Sequence, residues 1–343
     1  MQAILGLQRK IAPELSGLLE MRYNLLRQIA LNQPVGRRLL AAKAGLSERV
    51  LRAQVDFLKD AGLLEFSHLG MNITDEGGYL LDKLEAYVRE VNGIVALEHE
   101  LSQVLPVEKV VVVPGDSDQS EMSFHDLGYT GAGILKTCMN VVTDTPNIAI
   151  SGGTTMRMLA ESVNYSCANA LVLPARGGLG DDAKQQANSI AAFLAGKLGA
   201  SYRQLYMPDN LSEKTLEALL AEDDDLRKVL NLMRYTDVMV HGIGMAARMA
   251  ERRGAESGDL FKLREAGAVG EALGKYFTLA GKQVCLDKKA AVLLNDFSGI
   301  STVMAVAGGE SKAEAILSVC RSGNIHILVT DFAAANKIMM KKF

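Results

Sequence analysis

The chain has 343 residues, 48% of them apolar and 22% charged, with a formal net charge of −3. That length predicts two or three domains, each able to bury its own core, and the composition predicts a soluble globular protein. So small a net charge by itself neither implies nor excludes a nucleic-acid partner. No apolar run approaches the roughly 20 residues of a membrane span. Arg9 and Lys10 ahead of Pro13 do not make a signal peptide. Cys138, Cys167, Cys285 and Cys320 are far apart and form no C-x-x-C pair. They are expected as reduced thiols in a cytoplasmic protein. The five histidines are scattered, so no metal site is expected.

In chain order, the first element is a helix on Leu15, Leu18, Leu19, Tyr23, Leu26 and Ile29, stopped at Asn32-Gln33-Pro34. A short helix follows over 37–44. Gly45 allows a tight turn, and Ser47 is a good N-cap for the next helix, whose apolar side reads as Val50, Leu51, Val55 and Leu58. Gly62 ends it. Residues 63–66 and 71–73, around a polar tip, read as a two-stranded ribbon. Helix, turn, helix, hairpin is the winged helix-turn-helix order. Charge agrees locally: residues 34–59 carry six basic residues and two acids, a net +4. Arg49, Arg52 and Asp56 share the face opposite Leu51 and Leu58. That face would enter a major groove, with Arg49 and Arg52 on base edges and Arg37 and Arg38 on phosphates. Ser47 belongs to the same DNA-facing set. Asp56 counts against it, because a carboxylate near phosphates costs affinity.

Residues 76–105 read as a long helix with a seam of Leu84, Val88, Val91 and Val95, restarted by Leu97, Leu101 and Val104. Asn92-Gly93 is a point of interruption. Such a linker pairs subunits as a short coiled coil, or else packs on its own domain. From Glu108 the pattern alternates strand and helix, with apolar runs at 110–113, 148–150, 171–173, 205–207, 238–240, 303–306 and 325–329. Continuous apolar runs belong to a parallel sheet covered on both faces, with ligands at the carboxyl ends of its strands.

Four of those runs end in glycine loops. They contain Ser151-Gly152-Gly153-Thr154-Thr155, Pro174-Ala175-Arg176-Gly177-Gly178, His241-Gly242-Ile243-Gly244 and Ala307-Gly308-Gly309-Glu310-Ser311-Lys312. Any one alone is equally a plain strand-to-helix turn. Four at one sheet edge would line a single crevice, where backbone N–H groups, threonine hydroxyls and Lys312 meet a phosphate and Arg176 grips a second oxyanion. The run Gly242-Ile243-Gly244-Met245-Ala246-Ala247 also fits G-x-G-x-x-A. The next 20 residues are polar and helical instead of a strand ending in an acid, so no nicotinamide cofactor is expected. Asp181, Asp182 and Glu271 are the carboxylates near these loops. Each serves equally as an isomerase base or as an acceptor for sugar hydroxyls.

These residues resemble the sorbitol-operon-regulator (SorC) family of bacterial transcription regulators over nearly the whole chain. At the N-terminus the resemblance rests on VGRRLLAAKAGLSERVLRAQVDFLKDAGLL and MNITDEG. Beyond it rests on PGDSDQS, SGGTT, PARGGLGDD, QQANSI, MVHGIG, GKYF, AGGESKAEAI and ILVTD. It implies a repressor of glycolytic genes, not an enzyme, with an effector domain of the sugar-phosphate isomerase type that binds a phosphosugar without turnover. The implied inducer is fructose 1,6-bisphosphate or a related sugar phosphate. The resemblance also implies that Gly152, Gly153, Thr154, Thr155 and Lys312 seat one phosphate, that Arg176 and Arg252 (or its neighbour Arg253) seat the other, and that Gln186 and Glu271 contact the sugar. Glu310 must then point away from the phosphate.

The expected architecture is α/β: a winged helix-turn-helix over 1–76, a helical linker over 77–106, and a Rossmann-like doubly wound sheet domain over 107–343. Expected partners are operator DNA, repeated or palindromic, and a second or further copy in a homodimer or homotetramer, with no membrane. The alternatives are a sugar-phosphate isomerase with a fused helical domain and a metabolite-binding adaptor that ignores DNA.

Overall fold

The structure is a computed structural model, and it describes residues 11–142, 144–177, 183–207, 213–286 and 299–340. Asp181, Asp182 and Gly178 lie outside the described residues. The chain divides into two compact units, Met1–Ala96 and Leu97–Phe343.

The first unit begins with α1 (Pro13–Asn32), α2 (Arg37–Ala44) and α3 (Glu48–Asp60). A hairpin of β1 (Leu64–Ser67) and β2 (Gly70–Ile73) follows, then α4 (Asp75–Val91). Val35 bridges to Met71 and so adds a third short partner to the hairpin. Local chemistry sets these boundaries. Gly45 takes a left-handed φ of 64° and closes α2. The Ser47 hydroxyl accepts a hydrogen bond from the Val50 N–H at 3.4 Å and opens α3. Thr74 caps α4 in the same way, accepting from the Gly77 N–H at 3.1 Å. The core joins Leu25, Leu26 and Ile29 of α1, Leu40 of α2, and Leu51, Val55 and Leu58 of α3 to Leu64 and Met71 of the hairpin. Two expected core residues turn outward. Leu15 stands in the first turn of α1, before the other elements begin to cover it, and Val50 lies a full helical step away from the Leu51–Val55–Leu58 stripe.

The expected long linker is two helices. Asn92-Gly93, with Gly93 at φ 70°, separates α4 from α5 (Ile94–Val104). The seam divides accordingly: Val88, Leu97 and Leu101 are buried, while Val95 and Val104 are exposed. The Glu98 carboxylate of α5 accepts a hydrogen bond from the Val112 N–H at 2.7 Å, which ties the helix to the first strand of the second unit.

That unit is a seven-stranded parallel sheet in the order β3-β13-β12-β7-β4-β5-β6. Its strands are β3 (Lys109–Val113), β4 (Asn147–Ile150), β5 (Leu171–Pro174), β6 (Ser201–Tyr202), β7 (Val238–His241), β12 (Thr302–Val306) and β13 (Ile327–Asp331). Among the helices between them are α6 (Glu121–Val142), α7 (Thr154–Glu161) and α8 (Ala187–Leu198). Both sheet faces are buried. Ile148 and Ile150 join Leu135, Leu159 and Leu194 on one side, while Ala149 joins Met239 and Val303 on the other. A strand covered on both faces needs apolar residues at every position, which is why these strands read as unbroken runs.

The run at 205–207 is not a strand. The Asn188 side chain of α8 takes the place of a neighbouring strand there, accepting from the Leu205 N–H at 2.9 Å and donating to the Leu205 carbonyl at 3.0 Å. The edge strand is the polar pair Ser201–Tyr202 instead. Leu205 and Met207 are buried against α10 (Asp224–Arg234), which follows α9 (Glu213–Glu222).

A second, antiparallel sheet was not expected. It orders β8 (Gly244–Met245), β9 (Ala268–Ala272), β10 (Lys275–Thr278) and β11 (Gln283–Val284) as β11-β10-β9-β8, with α11 (Ala246–Arg252) and α12 (Ser257–Glu265) between β8 and β9. The strand after the G-x-G-x-x-A run is therefore antiparallel and in another sheet, which is not the dinucleotide-binding unit.

The buried stripe of α3 gives a direct test. Leu51 is 0% exposed and Val50 is 41% exposed. Leu51→Ala is expected to cost about 2–5 kcal/mol in chemical denaturation, and Val50→Ala well under about 1 kcal/mol. Equal losses would overturn this assignment of the buried face.

Candidate functional site

Strand order reverses between β4 and β7: β5 and β6 extend the sheet to one side of β4, and β7, β12 and β13 to the other. The carboxyl ends of strands at such a switch point leave a crevice. A cavity of about 410 Å³ lies there, within the ordinary range for a small-ligand site. Loop 151–155 after β4, Arg176 after β5, Gly242 and Ile243 after β7, and Lys312 after β12 all line it. A larger cleft of about 680 Å³ lies between β6 and α10. Its lysine, Lys228, is already paired with Asp225 at 3.0 Å, and it is lined by none of the glycine loops.

The Ser-Gly-Gly-Thr-Thr loop is shaped by its glycines. Gly153 has φ 111°, which L side chains rarely adopt, and it precedes the first residue of α7. A Cβ on Gly152 would lie 2.6 Å from the Gln185 carbonyl oxygen, so only glycine lets segment 183–187 close on the loop. The Gly153 N–H donates to that same carbonyl at 2.8 Å. This closure carries Gln185 into the crevice, where its side chain accepts from Arg252 at 3.0 Å. Thr154 opens α7 with its side chain exposed to the cavity, while Thr155 is largely buried. The positive end of the α7 dipole points the same way.

The loop at 307–312 behaves differently from expectation. Its amides are already taken: Gly309 N–H donates to Asp331 at 2.6 Å, Glu310 N–H to Asp116 at 3.2 Å, and Ser311 N–H to Asp118 at 2.8 Å. Ser117 also donates to Asp331 through both its N–H and its hydroxyl. A Cβ on Gly308 would meet Ser117 Oγ at 2.4 Å and Asp331 Oδ2 at 2.5 Å, so glycine is what allows the two loops to interlock. This loop offers the cavity the Lys312 side chain, not a nest of free N–H groups. Glu310 points away, to Lys337 of α13 (Phe332–Met340), at 3.0 Å. Burial pushes Lys312 below the ordinary lysine range; Asp118 and Asp331 oppose that shift, and Arg248 adds to it.

Behind the cavity lies an ion cluster. Glu271 on β9 pairs in register with Gly244 of β8 and is 3% exposed. It accepts from Arg253 and, at 2.6 Å, from the Gly274 N–H, and Arg176 lies 3.8 Å away. Burial alone would raise its pKa, but Arg253, Arg176 and these hydrogen bonds outweigh burial and hold it below the ordinary carboxylate range. Burial lowers Arg176 to about 10, with Arg253 adding to the effect and Glu271 opposing it, so it stays charged at neutral pH. Arg253 also donates to the Tyr276 hydroxyl at 3.1 Å.

Most of the expected residues therefore converge. Gly152, Gly153, Thr154, Thr155, Arg176, Arg252, Glu271 and Lys312 line one cavity. Of the adjacent arginines, Arg252 faces the cavity, and Arg253 is committed to Glu271 and Tyr276. Gln185, not Gln186, is the lining glutamine; Gln186 is the residue before the first turn of α8. Met245, Arg248 and Met249 were missed. The available signal was their helical spacing with Arg252.

In the first unit, Arg49 and Arg52 are exposed and make no ion pair with any described residue. Arg37 pairs with Asp56 at 3.3 Å and lies over the Phe66 ring at 5.0 Å. The carboxylate that counted against DNA binding thus has a cation beside it. Arg38 approaches Glu48 at 3.8 Å. Ser47 is spent on the α3 cap.

Comparison with known proteins agrees with both halves. Residues 89–340 match the Sugar-bind family of sugar-binding domains, and residues 18–88 match the CggR N-terminal DNA binding domain. The chain is 40% identical over 341 residues to the central glycolytic genes regulator of Priestia megaterium, covering 99% of each chain. It is 39% identical over 342 residues to that of Bacillus subtilis, again covering 99% of each. A crystal structure of a SorC family transcriptional regulator from Enterococcus faecalis superposes with a TM-score of 0.64 at 36% identity, over 71% of this chain and 99% of that one. The full-length sorbitol operon regulator of Klebsiella pneumoniae, at 17% identity, shares the fold over 92% of this chain and 98% of its own, with a TM-score of 0.65. These relatives are transcription regulators, not enzymes, and the chain belongs to the SorC family of sugar-binding transcriptional regulators.

Proposed function

We propose that this protein is a cytoplasmic repressor of glycolytic genes whose operator binding is relieved by a doubly phosphorylated sugar, fructose 1,6-bisphosphate or a close analogue. The observation that carries the reading is the charge of the switch-point cavity. Arg176, Arg252 and Lys312 line it together with the N-terminus of α7 and two threonines. A bisphosphate with close to four negative charges suits it, whereas a monophosphate would leave cations unmatched. The relatives that share 39–40% identity are named as regulators of central glycolytic genes. Catalysis is disfavoured by the same geometry. A general base works best with a pKa near the operating pH, and Glu271 is pushed the other way and held by two arginines.

The two units divide the labour. Arg49 and Arg52 face base edges, and Arg37 and Arg38 reach phosphates. The protein acts as a homodimer or homotetramer on a repeated operator, with α4 and α5 in the pairing region. The ligand weakens DNA binding only as far as it prefers the arrangement that does not bind DNA.

Arg49→Ala or Arg52→Ala is expected to cost about 1–3 kcal/mol of operator affinity in a binding assay at fixed salt, with sugar-phosphate affinity unchanged. A loss of ligand affinity alone would reverse the assignment of the two units. Thr154→Ala combined with Lys312→Ala is expected to hold operator DNA in the presence of sugar phosphate; normal release by the ligand would refute the phosphate seat. Glu271→Gln leaves buried arginines without their carboxylate and is expected to destabilise the effector unit by about 3–5 kcal/mol at pH 7. Because the folded-state pKa of Glu271 is depressed, its contribution is full above the unfolded carboxylate pKa of about 4.3 and is lost as pH falls through the folded value. The difference in melting temperature between wild type and variant should therefore narrow below about pH 4; a difference independent of pH would contradict the ion cluster.

A further inference from the structure

Helix α11, with Met245 at its N-cap, turns one face into the cavity. Met245, Arg248, Met249 and Arg252 all line it, at the i, i+3, i+4, i+7 spacing of one helical side. The opposite side, Ala246 and Ala250, is buried with Leu263 and Tyr276, which fixes how the helix is rotated. Arg248 and Arg252 thus stand one turn apart along the cavity wall.

Three of the other cations in and behind the cavity already have partners. Arg253 and Arg176 share Glu271. Arg252 donates to Gln185. Asp118 and Asp331 act on Lys312 through their charge alone, with no hydrogen bond or ion pair to it among the described residues. Arg248 makes no hydrogen bond or ion pair with a described residue, and its charged neighbour across the cavity is Lys312, which repels it. Two cations lining one cavity, one of them on a helix whose other side is buried, suit an anion.

We propose that Arg248 and Lys312 together clasp one dianionic phosphoryl group of the effector, making Arg248 the residue that selects a bisphosphorylated sugar over a singly phosphorylated one. The inference rests on the effector reading above and adds a second cation to the seat of Thr154, Thr155 and Lys312. A phosphate monoester carries between −1.5 and −2 charges near pH 7. One lysine charge does not balance it, and a planar guanidinium adds a bidentate grip. A sugar with a hydroxyl at that end leaves the Lys312–Arg248 repulsion uncompensated.

The test is calorimetric titration of the full chain with fructose 1,6-bisphosphate, fructose 1-phosphate and fructose 6-phosphate. Arg248→Ala is expected to weaken the bisphosphate about tenfold or more. It should weaken only one of the two monophosphates, leaving the one seated at Arg176 and Arg252 within about twofold of wild type. Arg248→Lys should recover part of the loss. In a Lys312→Ala background the effect of Arg248→Ala should shrink, because both act on one phosphoryl group, whereas in an Arg176→Ala background it should persist in full. Unchanged bisphosphate affinity, equal losses for both monophosphates, or full additivity with Lys312→Ala would each overturn the inference. If Thr154→Ala with Lys312→Ala abolishes binding while Arg248→Ala is silent, the effector reading stands and this inference falls. If the wild-type chain binds no sugar phosphate, both fall.

Discussion

Like charges do not crowd into a crevice unless something holds them there. Here the holder is Glu271, a buried carboxylate against which Arg253 and Arg176 are packed. The low-dielectric surroundings that make this pairing strong also make each partner costly to leave alone. Glu271 is in turn placed by the small antiparallel sheet, where it pairs with Gly244 on one side and Tyr276 on the other. The dependence runs from that sheet to the carboxylate, from the carboxylate to the inner arginines, and from them to the floor of the cavity. The remaining cations, Arg248, Arg252 and Lys312, line the same cavity.

Much of this was legible in the residues. Periodicity located the helix-turn-helix, because an N-cap serine, a left-handed glycine and a three-residue apolar stripe are local signals with local causes. Six of the seven parallel strands were legible as unbroken apolar runs, because burial on both faces leaves no room for alternation. The glycine loops marked the sheet edge and most of the cavity lining. What escaped was whatever depends on distant partners. The short strands β8 to β11 contain too few residues to show a period. The false strand at 205–207 has the apolar content of a strand, and only the Asn188 side chain, supplied from a separate helix, explains why its backbone pairs elsewhere. Arg248 was hidden in the same way: its spacing to Arg252 was visible, but which face of α11 is buried was not.

The interlocked loops at 114–118 and 308–312 refine how glycine-rich turns should be read. A turn rich in glycine suggests amides free for a phosphate. In this chain three aspartates have taken the amides after β12, and the glycine serves to let two backbones approach. By contrast, the turn after β4 leads into α7 with its threonines at the cavity. The two loops look alike in sequence, yet one is locked to a neighbouring loop and the other brings its threonines to the cavity. The difference lies in whether carboxylates stand within reach.

The order of strands in the large sheet has a consequence for how the protein is made. Ser117 is hydrogen-bonded to Asp331, 214 residues later, and β3 at the sheet edge pairs only with β13, the last strand. The sheet cannot close until almost all of the chain has left the ribosome. The helix-turn-helix unit, by contrast, is assembled from neighbours within the first hundred residues. At about 5–20 residues per second of synthesis, tens of seconds separate the completion of the two. Throughout that interval a nascent copy has all the residues of its helix-turn-helix unit and not yet those that complete its sugar-binding sheet. The closing of the last two strands is therefore the moment at which a metabolite can first have any say over the protein's behaviour.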